Sequence, residues 1–90
     1  MKKDTEKLIQ RINILIESLE KTENSAIKFF KGAIDVIQKC KSEKELKQAL
    51  DDHLIHAGRI TDYGGFNREQ CDLFYEMWKV AKSICTNSEE

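Results

Sequence analysis

Proline is absent from this chain of 90 residues, and three of its four glycines, Gly58, Gly64 and Gly65, fall close together. Proline and interior glycine disrupt a helix most, by about 3 and about 1 kcal/mol respectively relative to alanine. A chain almost free of both can run in long helices, with one marked interruption. That interruption sits in "HLIHAGRITDYGGFNREQ", His53 to Gln70, which also holds both histidines.

Apolar spacing fills in the rest. Leu8, Ile9, Ile12, Leu15, Ile16 and Leu19 share one face of a helix over about 4–21, with Asp4 as its N-cap. A second helix, about 25–40, is capped by Asn24 or Ser25 and is apolar around half its circumference. The third, about 43–62, opens with Ser42 and Glu45 in a capping-box pattern and carries Leu46, Ala49, Leu50, His53, Leu54, Ala57 and Ile60 as its apolar face. The fourth, about 68–85, opens with a second such pattern, Asn67 and Gln70, and again carries a wide apolar face from Cys71 to Cys85. No strand pattern competes. The expected fold is all-α, one domain built as a four-helix antiparallel up-down bundle.

Composition excludes several classes. Fifteen basic and sixteen acidic residues leave a formal net charge of −1, without the basic face a nucleic-acid binder needs. No apolar run is long enough to span a membrane, and the opening "MKKDTEKLIQR" lacks the apolar core of a secretory signal. Three cysteines, Cys40, Cys71 and Cys85, make an odd number without a CxxC, which fits a reducing compartment rather than a disulfide framework. The expected location is the cytoplasm.

The interruption reads first as punctuation. Gly64-Gly65 ends the third helix, since glycine tolerates the left-handed conformation that closes a helix and two together make a loose reversal. Phe66 then precedes the Asn67 cap, where it is placed to staple onto Cys71. On an uninterrupted helix Asp52, His56, Arg59 and Tyr63 are spaced four, three and four apart and form one polar row beside the apolar face. The row combines an acid, a titratable base, a fixed cation and a phenol. It is a candidate partner-binding surface, together with Phe66 and Trp78, or an ordinary solvated stripe. His53, set among apolar positions, reads as a core-edge histidine.

Chemistry finds less support. Asp52, His53 and His56 fall short of the four ligands zinc prefers, and no Glu-x-x-His pair of a di-iron bundle is present. Gly64-Gly65 lacks the lysine and hydroxyl of a phosphate loop. The cysteines lie on apolar faces, where a thiol acts as a small hydrophobe. No cofactor and no catalysis are expected.

One stretch, "HLIHAGRITDYGG", is similar to the acceptor helix of histidine phosphotransfer domains, which are small helical bundles. The resemblance covers about a dozen residues. It implies His53 as phospho-acceptor. The chain departs from that family in spacing: Ala57-Gly58 stands where lysine-glycine is expected, one position late relative to His53. One helix follows here, where the family has two.

The expected function is therefore a small non-enzymatic interaction module of regulatory, adaptor or immunity type. It would bind a protein partner, or itself as a homodimer, through surplus apolar surface on the second and fourth helices, where Phe29, Val36, Tyr75 and Trp78 flank the core. The alternatives are a phosphorelay module using His53 and a metal- or small-ligand-binding bundle.

Overall fold

Leu8, Ile12, Leu15 and Leu19 are all fully buried along one side of the first helix, α1 (Lys2–Lys21), as their spacing requires. The computed structural model describes residues 2–55 and 65–86. Within them the chain is all-helical and no strand occurs. After α1 come α2 (Ile27–Lys39), α3 (Glu43–Leu50), a five-residue π-helical segment (Asp51–Ile55) that continues α3, and α4 (Arg68–Thr86). The helices pack as a bundle, with α1 and α4 in the most extensive contact. The molecule measures 39 × 20 × 20 Å along its principal axes.

The end of α1 and the start of α2 are explained by hydrogen bonding. α1 begins at Lys2, so Asp4 lies inside the first turn rather than capping it. There its carboxylate still faces the positive end of the helix dipole. α1 ends in a Schellman motif: the Asn24 N–H donates to the Leu19 carbonyl at 3.0 Å and the Glu23 N–H to the Glu20 carbonyl at 3.2 Å. The motif demands a left-handed residue between them, and Glu23 supplies it with φ 53°. Asn24 Oδ1 then accepts from the Ala26 N–H at 2.8 Å. It satisfies one free donor ahead of α2, which starts two residues later than its spacing indicates.

The two capping boxes differ. Asn67 and Gln70 form the full reciprocal pair: Gln70 N–H donates to Asn67 Oδ1 at 2.8 Å, and Asn67 N–H donates to Gln70 Oε1 at 3.0 Å. At α3 the Glu45 N–H donates to Ser42 Oγ at 3.1 Å, but Glu45 Oε1 accepts from the Lys41 N–H, one residue before the expected donor. Gly65 takes the left-handed conformation expected of it, φ 69°.

Phe66 is half-buried, and its ring packs against Phe74 and Phe30, both with centroids at 6.3 Å, so the staple closes on aromatic rings. Phe30 also meets Phe29 edge-on at 5.0 Å and Phe74 at 6.0 Å. This aromatic cluster fills one part of the core, and the aliphatic face of α1 fills the rest.

The π-helical segment changes the register of the third helix. A π turn closes on the fifth residue rather than the fourth and is therefore wider. Leu54 stacks over Leu50 and Leu46 and is fully buried, while His53 turns outward and is exposed. The expectation of a core-edge His53 is thus corrected. Burying a leucine is favourable by about 1.5–3 kcal/mol, whereas an imidazole in an apolar core needs a partner. The wide turn secures the first and avoids the second.

Candidate functional site

Tyr75 and Trp78 stand one turn apart on α4, and this spacing lets their rings stack, with centroids 6.3 Å apart and planes inclined by only 11°. The Trp78 indole is half-buried against the π-helical segment, where Nε1–H donates to the Ile55 carbonyl at 3.2 Å. Through that bond the indole ties α4 to the end of the π-helical segment. Tyr75 lies outside Trp78 and is 56% exposed. Lys79 Nζ sits 5.1 Å from the centre of the Tyr75 ring and forms an ion pair of 2.9 Å with Glu76. The hydrogen bond and charge of Lys79 hold the Glu76 carboxyl below the usual carboxylate range.

The result is an aromatic ledge, anchored beneath by Trp78 and open at Tyr75. Tyr75 and Ile14 are the exposed large hydrophobic residues among those described. Sequence reading places Tyr75 beside the core without selecting it as a site residue. Its three-residue spacing from Trp78 is the signal that marks it.

The expected polar row is described only at its start. Asp52 is exposed and its Oδ1 accepts from Gln48 Nε2 at 3.0 Å. His56, Arg59 and Tyr63 lie outside the described residues, as does Gly58. Asp52 and His53 line a shallow surface concavity with Lys44, Gln48 and Ala49. Phe66, expected at a partner surface, is half-buried and packs its ring against the core cluster.

Cys40, Cys71 and Cys85 are free and half-buried. Burial, and after it the charge of Glu45, pushes the Cys40 thiol up. Burial, and after it the charge of Asp51, does the same to Cys85, whose Sγ lies 3.7 Å from the Lys47 carbonyl. An activated nucleophile needs the opposite shift. Among the described residues no three His, Cys, Asp or Glu side chains gather as a metal site. None of the described helices is long and apolar enough to cross a membrane.

The geometry defines an all-helical bundle bearing an aromatic ledge. Comparison of the chain with protein-family models, with curated proteins and with solved structures finds no match.

Proposed function

We propose that this chain is a small non-enzymatic protein-interaction module, regulatory, adaptor-like or immunity-like, whose four helices run up and down in antiparallel order. Two contacts support the antiparallel order. Ser18 in the last turn of α1 and Thr22 just beyond it bond to Glu69 and Gln70, early in α4. Asp4 and Lys7, early in α1, share a groove with Ser83 and Ile84, late in α4.

The observation that carries the functional reading is the Tyr75–Trp78 pair. Tyrosine and tryptophan are the side chains most enriched where interfaces concentrate their binding energy. Here one is fixed by a hydrogen bond and the other is left exposed on top of it. A rigid stacked pair loses little conformational freedom on binding. A photo-crosslinking residue at position 75 is expected to give a discrete adduct in the lysate of the source cell, and the same residue at the exposed position 28 on α2 is not. Equal labelling from both positions, or none from position 75, removes the ledge from the account.

The exposure of His53 supports a second reading, a phosphorelay module with His53 as acceptor, because a phosphoryl donor must reach the imidazole. Incubation with a small phosphodonor followed by mass spectrometry tests it. A phosphoramidate on His53 favours that reading, and an unmodified imidazole dismisses it.

A further inference from the structure

The third helix offers its residues two registers, and each places a different side chain in the core. Successive residues of an α-helix turn by about 100°. An α-helix continued past Leu50 sets His53 about 40° from the middle of the stripe begun by Leu46 and Leu50, and Leu54 about 60° from it. A π turn takes up one residue more. It brings Leu54 into the core, fully buried, and leaves His53 exposed. At the junction the Asp51 N–H is shared between the Lys47 and Gln48 carbonyls, where the α-helical ladder gives way.

One bond to α4 depends on which register is taken. Trp78 Nε1–H donates at 3.2 Å to the carbonyl of Ile55, the last residue of the π-helical segment. Without the extra residue of the π turn, Ile55 is rotated by about 100° around the helix axis. That carries its backbone about 3.5 Å around the helix, out of reach of the indole. Tyr75 stacks on the same indole. The π turn, the indole and the exposed ring are therefore joined in series.

We propose that the π turn is a register switch that governs the ledge. In the π position Leu54 is buried, His53 is exposed and Trp78 is anchored beneath Tyr75. In the α position His53 turns toward the core, the Ile55 carbonyl turns away from α4, and Trp78 loses its anchor. Burial of a leucine rather than an imidazole makes the π position the major one, and the indole bond reinforces it. A partner seated on Tyr75 and Trp78 holds the π position, and with it the exposure of His53. By linkage, whatever keeps the imidazole in water favours an anchored ledge. Single π turns within helices often accompany functional sites. The switch rests on the interaction reading and adds a regulation of the same site.

Trp78 is the single tryptophan of the chain, so its fluorescence reports the anchor directly. His53→Leu removes the reason to keep position 53 out of the core and favours the α position. Acrylamide quenching of Trp78 is then expected to rise by about twofold or more, with the helices intact by circular dichroism. Deletion of Asp52 takes out the extra residue, so that an α turn leads to Leu54 and Ile55 in their present phase. Its quenching is expected to match the wild type. In the reverse direction, Trp78→Phe keeps a ring and loses the donor. Hydrogen exchange of the amides of residues 51–55 is expected to rise by about threefold or more, as for one lost hydrogen bond, while α1 is unchanged. Wild-type quenching in a folded His53→Leu overturns the proposal. So does quenching raised as much by the deletion, or unchanged exchange in Trp78→Phe. None of these measurements involves a partner. The adduct from position 75 without this coupling overturns the switch alone, whereas the coupling without that adduct counts against the ledge alone.

Discussion

Gln70 Nε2 donates to the Ser18 carbonyl oxygen at 3.1 Å, joining the first turn of α4 to the last turn of α1. The same nitrogen donates to Thr22 Oγ1 at 2.9 Å, and Gln70 Oε1 accepts from the Asn67 N–H at 3.0 Å. Gln70 is fully buried, so one carboxamide both caps α4 and fixes its position against α1.

Removing that carboxamide leaves the Ser18 carbonyl and the Asn67 N–H without their partner. A buried unsatisfied group costs about 1–3 kcal/mol and a lost cap about 1 kcal/mol. Gln70→Ala is therefore expected to lower stability by about 2–4 kcal/mol by urea denaturation. A loss below about 0.5 kcal/mol, the range of neutral surface substitutions, would show that the clamp does not hold the helices together.

The π-helical register separates two neighbouring positions. Leu54→Ala removes a fully buried side chain and is expected to cost about 2–5 kcal/mol. His53→Ala alters an exposed one and is expected to stay within about 0.5 kcal/mol of the wild type. A continuous α-helix makes the opposite forecast for His53, so a large loss at that position would contradict the wide turn.

Glu23 occupies the left-handed position of the Schellman motif, with φ 53°. Glycine adopts that conformation without the clash of a Cβ, while its unfolded state is more flexible. The net expectation for Glu23→Gly is a gain of about 0.5–1 kcal/mol, read as a higher Tm in calorimetry. An unchanged or lower Tm contradicts this assignment of strain.

Cys85 contributes to the response to alkali. Burial, and secondarily the charge of Asp51, raises its pKa in the folded chain. The fold thus favours the protonated thiol. Its contribution to stability is full below the unfolded pKa and is lost as pH rises through the higher folded value. Alkylation of native Cys85, followed by mass spectrometry, should be slower than in the denatured chain and should accelerate as pH rises. Equal rates in both states would refute the shift.

Local features of this fold were legible in the sequence, and the one register set by tertiary packing was not. The Asn67–Gln70 box involves residues three apart and contacts within its own turn, so type and spacing identify it. Gln70 as a tie to Ser18, fifty-two residues away, carries no such signal. The third helix was misread at His53 because His53 and Leu54 both fit an apolar stripe begun by Leu46 and Leu50. Only the core, by accepting the leucine, selects the π turn. The end of α1 was legible as a link but not as a Schellman motif, because Glu23 stands where glycine usually marks one. Of the candidate site, Trp78 was visible as an aromatic at the edge of a broad apolar face. The exposure of Tyr75 depends on how α4 is rotated by its buried Phe74, Met77 and Ala81.

The most direct test of the central claim compares proteins retained by the immobilised wild type with those retained by Tyr75→Ala, in lysate of the source cell. Tyr75→Ala removes an exposed ring, and its Tm is expected to match that of the wild type. The account predicts a discrete protein partner held by the wild type and lost from Tyr75→Ala. Retention of the same proteins by both, or of none by either, would contradict an interaction module that binds through the Tyr75–Trp78 ledge.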